Sequence, residues 1–129
     1  MVQVIKYAGW EDDVVALIPH ENYVKLAQFK GVEFWGNNRF MAVFIPEQTE
    51  KPLHWEAHWW TKASAIHAFR SAKKSLAEFF KMHYNNKLIG MAECGNREAI
   101  KMARLLGFRP TGFTSLNNIP YILSIKEGE

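Results

Sequence analysis

The segment from Leu53 to Trp60 (LHWEAHWW) holds the residues best suited to chemistry in this sequence. It predicts a β-strand, in which alternate side chains lie on opposite faces, so His54, Glu56 and His58 share one face. Imidazole titrates near neutral pH, and the pKa of a carboxylate rises on partial burial, so Glu56 or His58 could accept a proton from a ligand. The pattern is also typical of a half-buried strand with one solvated face, and both interpretations stay open.

The residue types favour neither metal nor thiol chemistry. The three polar residues could bind zinc, but same-face neighbours on a strand are about 6.6 Å apart along the backbone, and the one candidate for a fourth ligand, His67, lies outside the strand. We therefore expect no metal site. Cys94 is the only cysteine, so no disulfide can form within the chain, and we expect a small buried residue rather than a nucleophile.

Length and composition predict one compact domain spanning residues 1–129. The sequence is 48% hydrophobic and 14% aromatic, which is enough apolar material for a core. A net charge of +3 is too small to indicate a nucleic-acid-binding protein. Nothing resembles a signal peptide, and no apolar run approaches the roughly 20 residues that span a membrane. We expect a soluble, cytoplasmic protein, and the sequence leaves its oligomeric state open.

The first half of the sequence predicts a short strand, two helices and an antiparallel meander of three strands. Acidic residues after Gly9 are typical of a helix start, and Pro19 interrupts the helical pattern. The run from Gly36 to Arg39 favours a hairpin turn. The predicted strands cover residues 2–6, 32–35, 40–45 and 53–60, and the predicted helices cover residues 12–17 and 21–29.

The second half predicts alternating helices and strands that end in a hairpin. From Ser64 to Tyr84 apolar residues recur every three or four positions, which indicates an amphipathic helix with Ser64 as its cap. Asn96 is suited to begin a second helix, through Leu106, and Gly107 to end it. Predicted strands cover residues 88–92, 109–116 and 119–125. The predicted core consists of Phe69, Leu76, Phe80, Ile100, Leu105 and Phe108.

The segment that runs from Asn96-Arg-Glu-Ala99 to Leu-Leu-Gly107-Phe108 resembles the closing segment of the GNAT superfamily of acyl-CoA-dependent N-acyltransferases. There an asparagine opens a helix, an alanine follows three residues later, and Gly-Phe ends the helix. With its Trp-Glu-x-His strand, the chain is most similar to small GNAT-like proteins of tailed phages. The resemblance implies an α/β (α+β) fold with helices on both faces of a mixed, partly antiparallel sheet, and acetyl-CoA or another acyl-CoA as the donor.

Two regions depart from the pattern of that superfamily. Its acyl-CoA loop reads R/Q-x-x-G-x-G/A between the fourth strand and the long helix, where this sequence has Trp60-Thr-Lys62-Ala63-Ser64-Ala65-Ile66. Ala63 and Ala65 stand in place of the glycines, and no Arg or Gln precedes them. The tyrosine that often protonates the departing thiolate falls at Ala103, so a general acid would have to come from elsewhere.

The resemblance implies a role for each candidate site residue. Glu56 or His58 would take the proton of the amine, and backbone N–H groups near Trp59 and Trp60 would stabilise the oxyanion. Asn96 could hydrogen-bond the pantetheine arm or serve as an ordinary helix cap. The pyrophosphate would bind at the helix start, to Lys62 and the N–H groups of Ala63, Ser64, Ala65 and Ile66.

Two functions follow from this resemblance. The first is an N-acyltransferase of phage origin that transfers an acyl group from acyl-CoA to an amine. The second is a catalytically inactive GNAT-fold protein that serves as a virion-associated structural protein or as a binding or regulatory module. The polar face around Glu56 favours the first, whereas the absent glycines and Ala103 favour the second. Phage virion proteins are partners in the second function, and neither function needs a membrane.

Overall fold

A computed structural model describes residues 2–128, which form seven strands and four helices. The strands are β1 (Ile5–Tyr7), β2 (Glu33–Gly36), β3 (Phe40–Pro46), β4 (His54–Thr61), β5 (Lys87–Glu93), β6 (Arg109–Leu116) and β7 (Ile119–Glu127). The helices are α1 (Asp12–Leu17), α2 (His20–Ala27), α3 (Ala65–Met82) and α4 (Arg97–Leu105). Each predicted element is present, but β1 begins at Ile5 rather than at residue 2, because β2 ends at Gly36, opposite Ile5.

The strands form one mixed sheet in the order β1-β2-β3-β4-β5-β7-β6. β4 and β5 run parallel, and every other neighbouring pair is antiparallel. The predicted meander and the predicted terminal hairpin are both confirmed. Asn117 and Asn118 form the hairpin turn with φ angles of 51° and 65°, the pair of left-handed conformations that a type I′ turn requires.

Helices cover both faces of the sheet, and each face has its own hydrophobic cluster. On one face α3 packs against strand residues that include Phe44, Trp55 and Leu88. On the other face α1 and α2 pack against strand residues that include Phe34 and Val43. The predicted fold class, an α/β fold with helices on both faces of a mixed sheet, is confirmed. None of the helices within residues 2–128 is long and apolar enough to cross a membrane.

The buried side of α3 is rotated relative to the prediction. Phe79 is fully buried, whereas Phe80 is half-buried and packs against the core from its edge. The polar residues Ser71 and Ser75 lie on the buried side. A pattern built on apolar residues alone therefore places the buried side one residue too far along the helix.

The prediction that Leu105 lies in the core is wrong. Leu105 is 63% exposed, and its neighbour Leu106 is buried. The helix α4 has no fully buried residue, and it contacts the core through Met102 and Ala103. Of the other predicted core residues, Leu76 and Phe108 are buried, Phe69 packs against the core from its edge, and Ile100 is half-buried.

Candidate functional site

The parallel strands β4 and β5 separate after a short stretch of pairing. They pair at three positions, His54 with Lys87, Trp55 with Leu88 and Glu56 with Ile89. Both strands then continue, β4 to Thr61 and β5 to Glu93, and each stays paired with its other neighbour. The two halves of the sheet therefore diverge and leave a cleft in the middle of the sheet.

The separation leaves backbone groups of β4 without a strand partner. The N–H of Lys87 on β5 donates to the carbonyl of Leu53 at 2.8 Å. Because backbone groups alternate in direction along a strand, the odd-numbered residues of β4 face β5. The N–H and C=O of Trp59 therefore point into the cleft, beyond the last paired residue.

The even-numbered residues of β4 face the other way. The N–H of Lys62 donates to the carbonyl of Arg39 at 2.9 Å, beyond the start of β3. Trp60 is opposite Met41 in the same ladder, so its N–H serves the pairing with β3. Of the two residues predicted to supply the oxyanion donor, only Trp59 therefore directs its backbone N–H into the cleft.

A cavity of about 280 Å³ lies in this cleft. Part of its lining consists of small residues from β4, β5 and α4, namely Ala57, Gly90, Ala92, Ala99 and Ala103. The remaining lining residues are His58, Trp59, Trp60, Met91, Phe108 and Ser124. Small side chains on facing elements leave room for a slender, extended ligand.

Among the described residues, His58 is the only titratable one that lines the cavity. Its ring is half-buried, and its centroid lies 6.5 Å from that of Trp60, with the two rings stacked. Burial lowers the pKa of His58 from its ordinary value, while the negative charge of Glu56 opposes that shift. A neutral imidazole in such a position can accept a proton near pH 7.

Glu56 and His54 lie on the same face of β4 as His58 but outside the cavity lining. Glu56 is exposed and stands opposite Ile89, at the last position before the strands separate. His54 is exposed, with Nδ1 3.5 Å from Oε1 of Glu47. Within residues 2–128, no three His, Cys, Asp or Glu side chains are grouped to hold a metal ion.

The loop between β4 and α3 uses two of its backbone donors internally. The hydroxyl Oγ1 of Thr61 accepts the N–H of Ala63 at 3.0 Å, and the N–H of Lys62 bonds to Arg39. Of the predicted pyrophosphate donors, the N–H of Ala63 is therefore engaged within the protein. The side chain of Lys62 is exposed at the same place.

The first turn of α3, in contrast, has backbone N–H groups that are not used within the helix. Ser64 occupies the predicted N-cap position, but its side chain makes no capping hydrogen bond. The N–H groups of Ala65 and Ile66 have no acceptor within the helix, and both residues are exposed. His67 adds a buried Nε2 atom with no hydrogen-bond partner among the described residues. This end of the helix therefore offers donors and partial positive charge to an anion.

Asn96 is a helix cap. Its side-chain oxygen accepts the N–H of Ala99 at 3.1 Å, at the start of α4. The oxygen is therefore engaged, and a contact from Asn96 to a pantetheine arm stays a prediction. Its helix nevertheless supplies Ala99 and Ala103 to the cavity lining.

Sequence reasoning missed Gly90 and Ser124, which face each other across β5 and β7 and line the cavity. A Cβ atom added at Gly90 would lie 3.4 Å from the ring of Phe108, at van der Waals contact, so only a side chain longer than that of alanine would press against the ring. A glycine inside a strand often marks a close approach, and that signal was available for Gly90. Ser124 has no such signal, because its position depends on strand order.

Comparison with solved structures shows that this fold is the GNAT acetyltransferase fold. A Bacillus subtilis acetyltransferase solved with CoA has a TM-score of 0.73 and 10% identity, covering 98% of this chain and 99% of that chain. A Vibrio fischeri ribosomal-protein-S5-alanine acetyltransferase has a TM-score of 0.64 and 14% identity, covering 82% and 67%. A GNAT-family protein from Bordetella pertussis has a TM-score of 0.62 and 15% identity, covering 80% of this chain and 70% of that chain.

No family model and no curated protein sequence matches the chain. Nothing in these comparisons indicates a relationship to phage proteins.

Proposed function

We propose that this protein is an acyl-CoA-dependent N-acyltransferase, which transfers an acetyl or other acyl group to an amine. The observation that carries the proposal is the separation of β4 from β5 around a cavity that contains His58, in a GNAT fold. A ligand in this cleft meets unpaired backbone groups and a proton acceptor, and α3 begins four residues beyond β4. These are the groups that acyl transfer from a thioester to an amine requires.

The cleft suits the pantetheine arm of acyl-CoA, which is a slender chain with amide groups. Trp59 on β4 presents its backbone N–H and C=O to the cleft. Met91 does the same on β5, because it alternates with Lys87 and Ile89, which face β4. An extended ligand can hydrogen-bond to the groups of Met91 and to the C=O of Trp59 in the way that an added strand does, which leaves the N–H of Trp59 for the reacting carbonyl.

The start of α3 would hold the phosphates of the donor. Because the N–H of Ala63 is bonded to Thr61, the free donors lie in the first turn of the helix, at Ala65 and Ile66. Lys62 adds a positive charge beside them. Helix N-termini bind phosphate through such N–H groups, so this segment can serve although the glycines are absent.

His58 would accept the proton of the attacking amine. As the C–N bond forms and the C–S bond breaks, the amine loses one proton and the departing thiolate needs one. Neutral His58 can take the first, and its protonated form can supply the second. The N–H of Trp59 would stabilise the negative charge that develops on the carbonyl oxygen.

Glu56 favours a cationic acceptor. Its exposed carboxylate stands at the base of the cleft, on the same strand face as His58. A negative charge there attracts an ammonium group. The ammonium loses one proton to solvent before its neutral amine attacks, and His58 accepts the second proton as the C–N bond forms. Amines of different chemical classes are therefore the right probes of this acceptor site.

A second function, that of a catalytically inactive binding or structural module, is favoured by specific residues. Ala103 provides no acid at the position where the superfamily often has a tyrosine, and Ala63 and Ala65 replace the loop glycines. In this reading the cleft binds a partner or a ligand without turnover. Phage origin, virion partners and a cytoplasmic location stay predictions from the sequence.

An assay of CoA release tests the proposal. Wild type and His58→Gln are incubated with acetyl-CoA and a peptide with a free amino terminus, a polyamine or an aminoglycoside. We expect amine-dependent thiol release, and a loss of about 10²-fold in kcat/KM for His58→Gln. His54→Gln is the matched control, because His54 lies on the same face but outside the cavity, and its rate should not change.

Two results would contradict the proposal. Equal rates for wild type and His58→Gln would remove His58 as the base. Acetyl-CoA binding without turnover for any amine would favour the inactive module.

A further inference from the structure

The sheet ends in two edges of different character. At one end β1 has three residues and includes Lys6. A short strand and a lysine are both features that protect an edge from pairing with another strand. At the other end β6 has eight residues, and in the part of the chain that the structure describes it pairs only with β7. Its outer edge is therefore the one that is open to another strand.

The part of the terminal hairpin nearest its turn lacks the charged residues that protect an edge strand from pairing. From Pro110 to Ile125 the sequence contains no Asp, Glu, Lys or Arg. The same hairpin exposes Phe113 (77%), Leu116 (49%) and Ile119 (42%). An uncharged edge with exposed apolar side chains is suited to an interface.

The turn of the hairpin determines which backbone groups point outward. With a two-residue turn, the flanking residues Leu116 and Ile119 form a hydrogen-bonded pair. Bonded and non-bonded pairs alternate along the ladder, so Phe113 and Ser115 are not bonded to β7. Their two N–H and two C=O groups therefore point away from the sheet.

A hydrogen bond on the opposite side of β7 supports this assignment. Pro120 is the partner of Ser115 in the ladder. Its carbonyl accepts the N–H of Cys94, next to β5, at 3.0 Å. Pro120 therefore faces away from β6, as a residue in a non-bonded pair must.

We propose that two copies of this chain pair through the outer edges of their β6 strands, antiparallel and about a two-fold axis at Thr114. In this register Phe113 stands opposite Ser115 of the second copy, and both pairs exchange N–H and C=O. All four outward groups of each copy are then bonded. If the axis passed through Phe113 or Ser115 instead, fewer of these four groups would be hydrogen-bonded. If the pairing shifted by one residue, the outward-pointing groups of one copy would lie opposite residues whose groups point inward, toward β7.

The side chains are complementary in this register. Phe113 lies opposite the small Ser115, and Leu116 lies opposite Gly112. A Cβ atom added at Gly112 would have no atom within 4 Å, so there is space for Leu116. The bulge between Pro110 and Gly112 limits the pairing to the segment centred on Thr114.

The first test measures the mass of the protein in solution by sedimentation and light scattering. We expect a concentration-dependent dimer for wild type and a monomer for Ser115→Pro, since proline removes an outward N–H. Proline is tolerated at an edge position whose N–H faces solvent, so the variant should still fold and unfold in one cooperative thermal transition. Ser115→Ala retains the N–H and should remain a dimer.

The second test locates the axis by disulfide formation in a Cys94→Ser background. In Thr114→Cys the two thiols belong to a non-bonded pair with Cα atoms about 4.5 Å apart, which a disulfide can bridge. In Leu116→Cys the Cα atoms are about 13 Å apart, too far for a bond. We expect an oxidised dimer for the first variant and a monomer for the second.

Three results would overturn the proposal, and none depends on the enzymatic function. They are a wild type that stays monomeric up to about 1 mM, a folded Ser115→Pro variant that remains dimeric, and cross-linking through Leu116→Cys in preference to Thr114→Cys.

Discussion

At the scale of single residues, burial and charge act against each other at His58. The half-buried ring loses hydration, which favours the neutral form, whereas the carboxylate of Glu56 favours the protonated form. Burial is the larger effect, so the pKa of His58 lies below its ordinary value of about 6.5. His58 is therefore a neutral base at pH 7, and the loss of activity that protonation of His58 itself causes should appear only as the pH falls below about 6.5.

The substitution Glu56→Gln separates two roles for that carboxylate. If Glu56 only raises the pKa of His58, its removal lowers that pKa further. The acid limb of kcat/KM then moves to lower pH, and the rate at pH 7 changes by less than about threefold. Rate profiles between pH 5 and pH 8 measure this, with His54→Gln as the control. A loss of about 10²-fold in kcat at pH 7, with the KM for the amine unchanged, would instead identify Glu56 as the base.

At the scale of elements, α3 connects the core to the proposed phosphate site. Phe79 lies on its buried side, with ring centroids 4.5 Å from Phe44 and 5.0 Å from Trp55. Ser64 begins the helix, four residues after Trp60. The packing of the helix therefore determines where its N-terminus stands relative to the cleft.

Truncation of Phe79 tests the position of the buried face. Phe79→Ala should lower the free energy of unfolding by about 3–5 kcal/mol, because it leaves a cavity beneath the helix. Phe80→Ala is the matched control and should cost about 1–2 kcal/mol, since Phe80 is half-buried. Urea titration measures both values. Equal losses, or a larger loss for Phe80→Ala, would contradict the observed rotation of the helix.

Changes at Ser64 test the helix N-terminus as the phosphate site. Ser64→Asp should stabilise the protein by about 0.5–1 kcal/mol, because a carboxylate caps the free N–H groups. The same charge should weaken acetyl-CoA binding by about tenfold, through repulsion of the phosphates. Ser64→Ala should change neither quantity, since the serine makes no capping hydrogen bond. Unchanged acetyl-CoA affinity in Ser64→Asp would place the phosphates elsewhere.

At the scale of the whole molecule, the order of elements could be predicted because local signals mark their ends. Asn96 caps α4 as expected, and Gly107 follows that helix with a φ of +95°, a conformation that glycine adopts readily. Asn117 and Asn118 likewise predicted the last turn. Such signals depend on neighbours in sequence, so one sequence suffices to detect them.

The candidate site could be predicted only in part, because it depends on contacts between distant residues. The alternation of side chains on β4 identified His58, but not that Glu56 would be exposed while His58 lines the cavity. Gly90 and Ser124 enter the lining only because β5 lies next to β7. The cleft forms where β4 separates from β5, and no residue pattern in either strand's sequence indicates that position.

Titration of acetyl-CoA by calorimetry tests the central claim, that the cleft between β4 and β5 binds the acyl donor. We predict one site per chain with a dissociation constant of about 1–100 µM. Ala103→Phe, which places a large ring in the cavity, should weaken binding by at least about tenfold while the fold persists. Absence of binding up to about 1 mM acetyl-CoA, or equal affinity in Ala103→Phe, would contradict the claim.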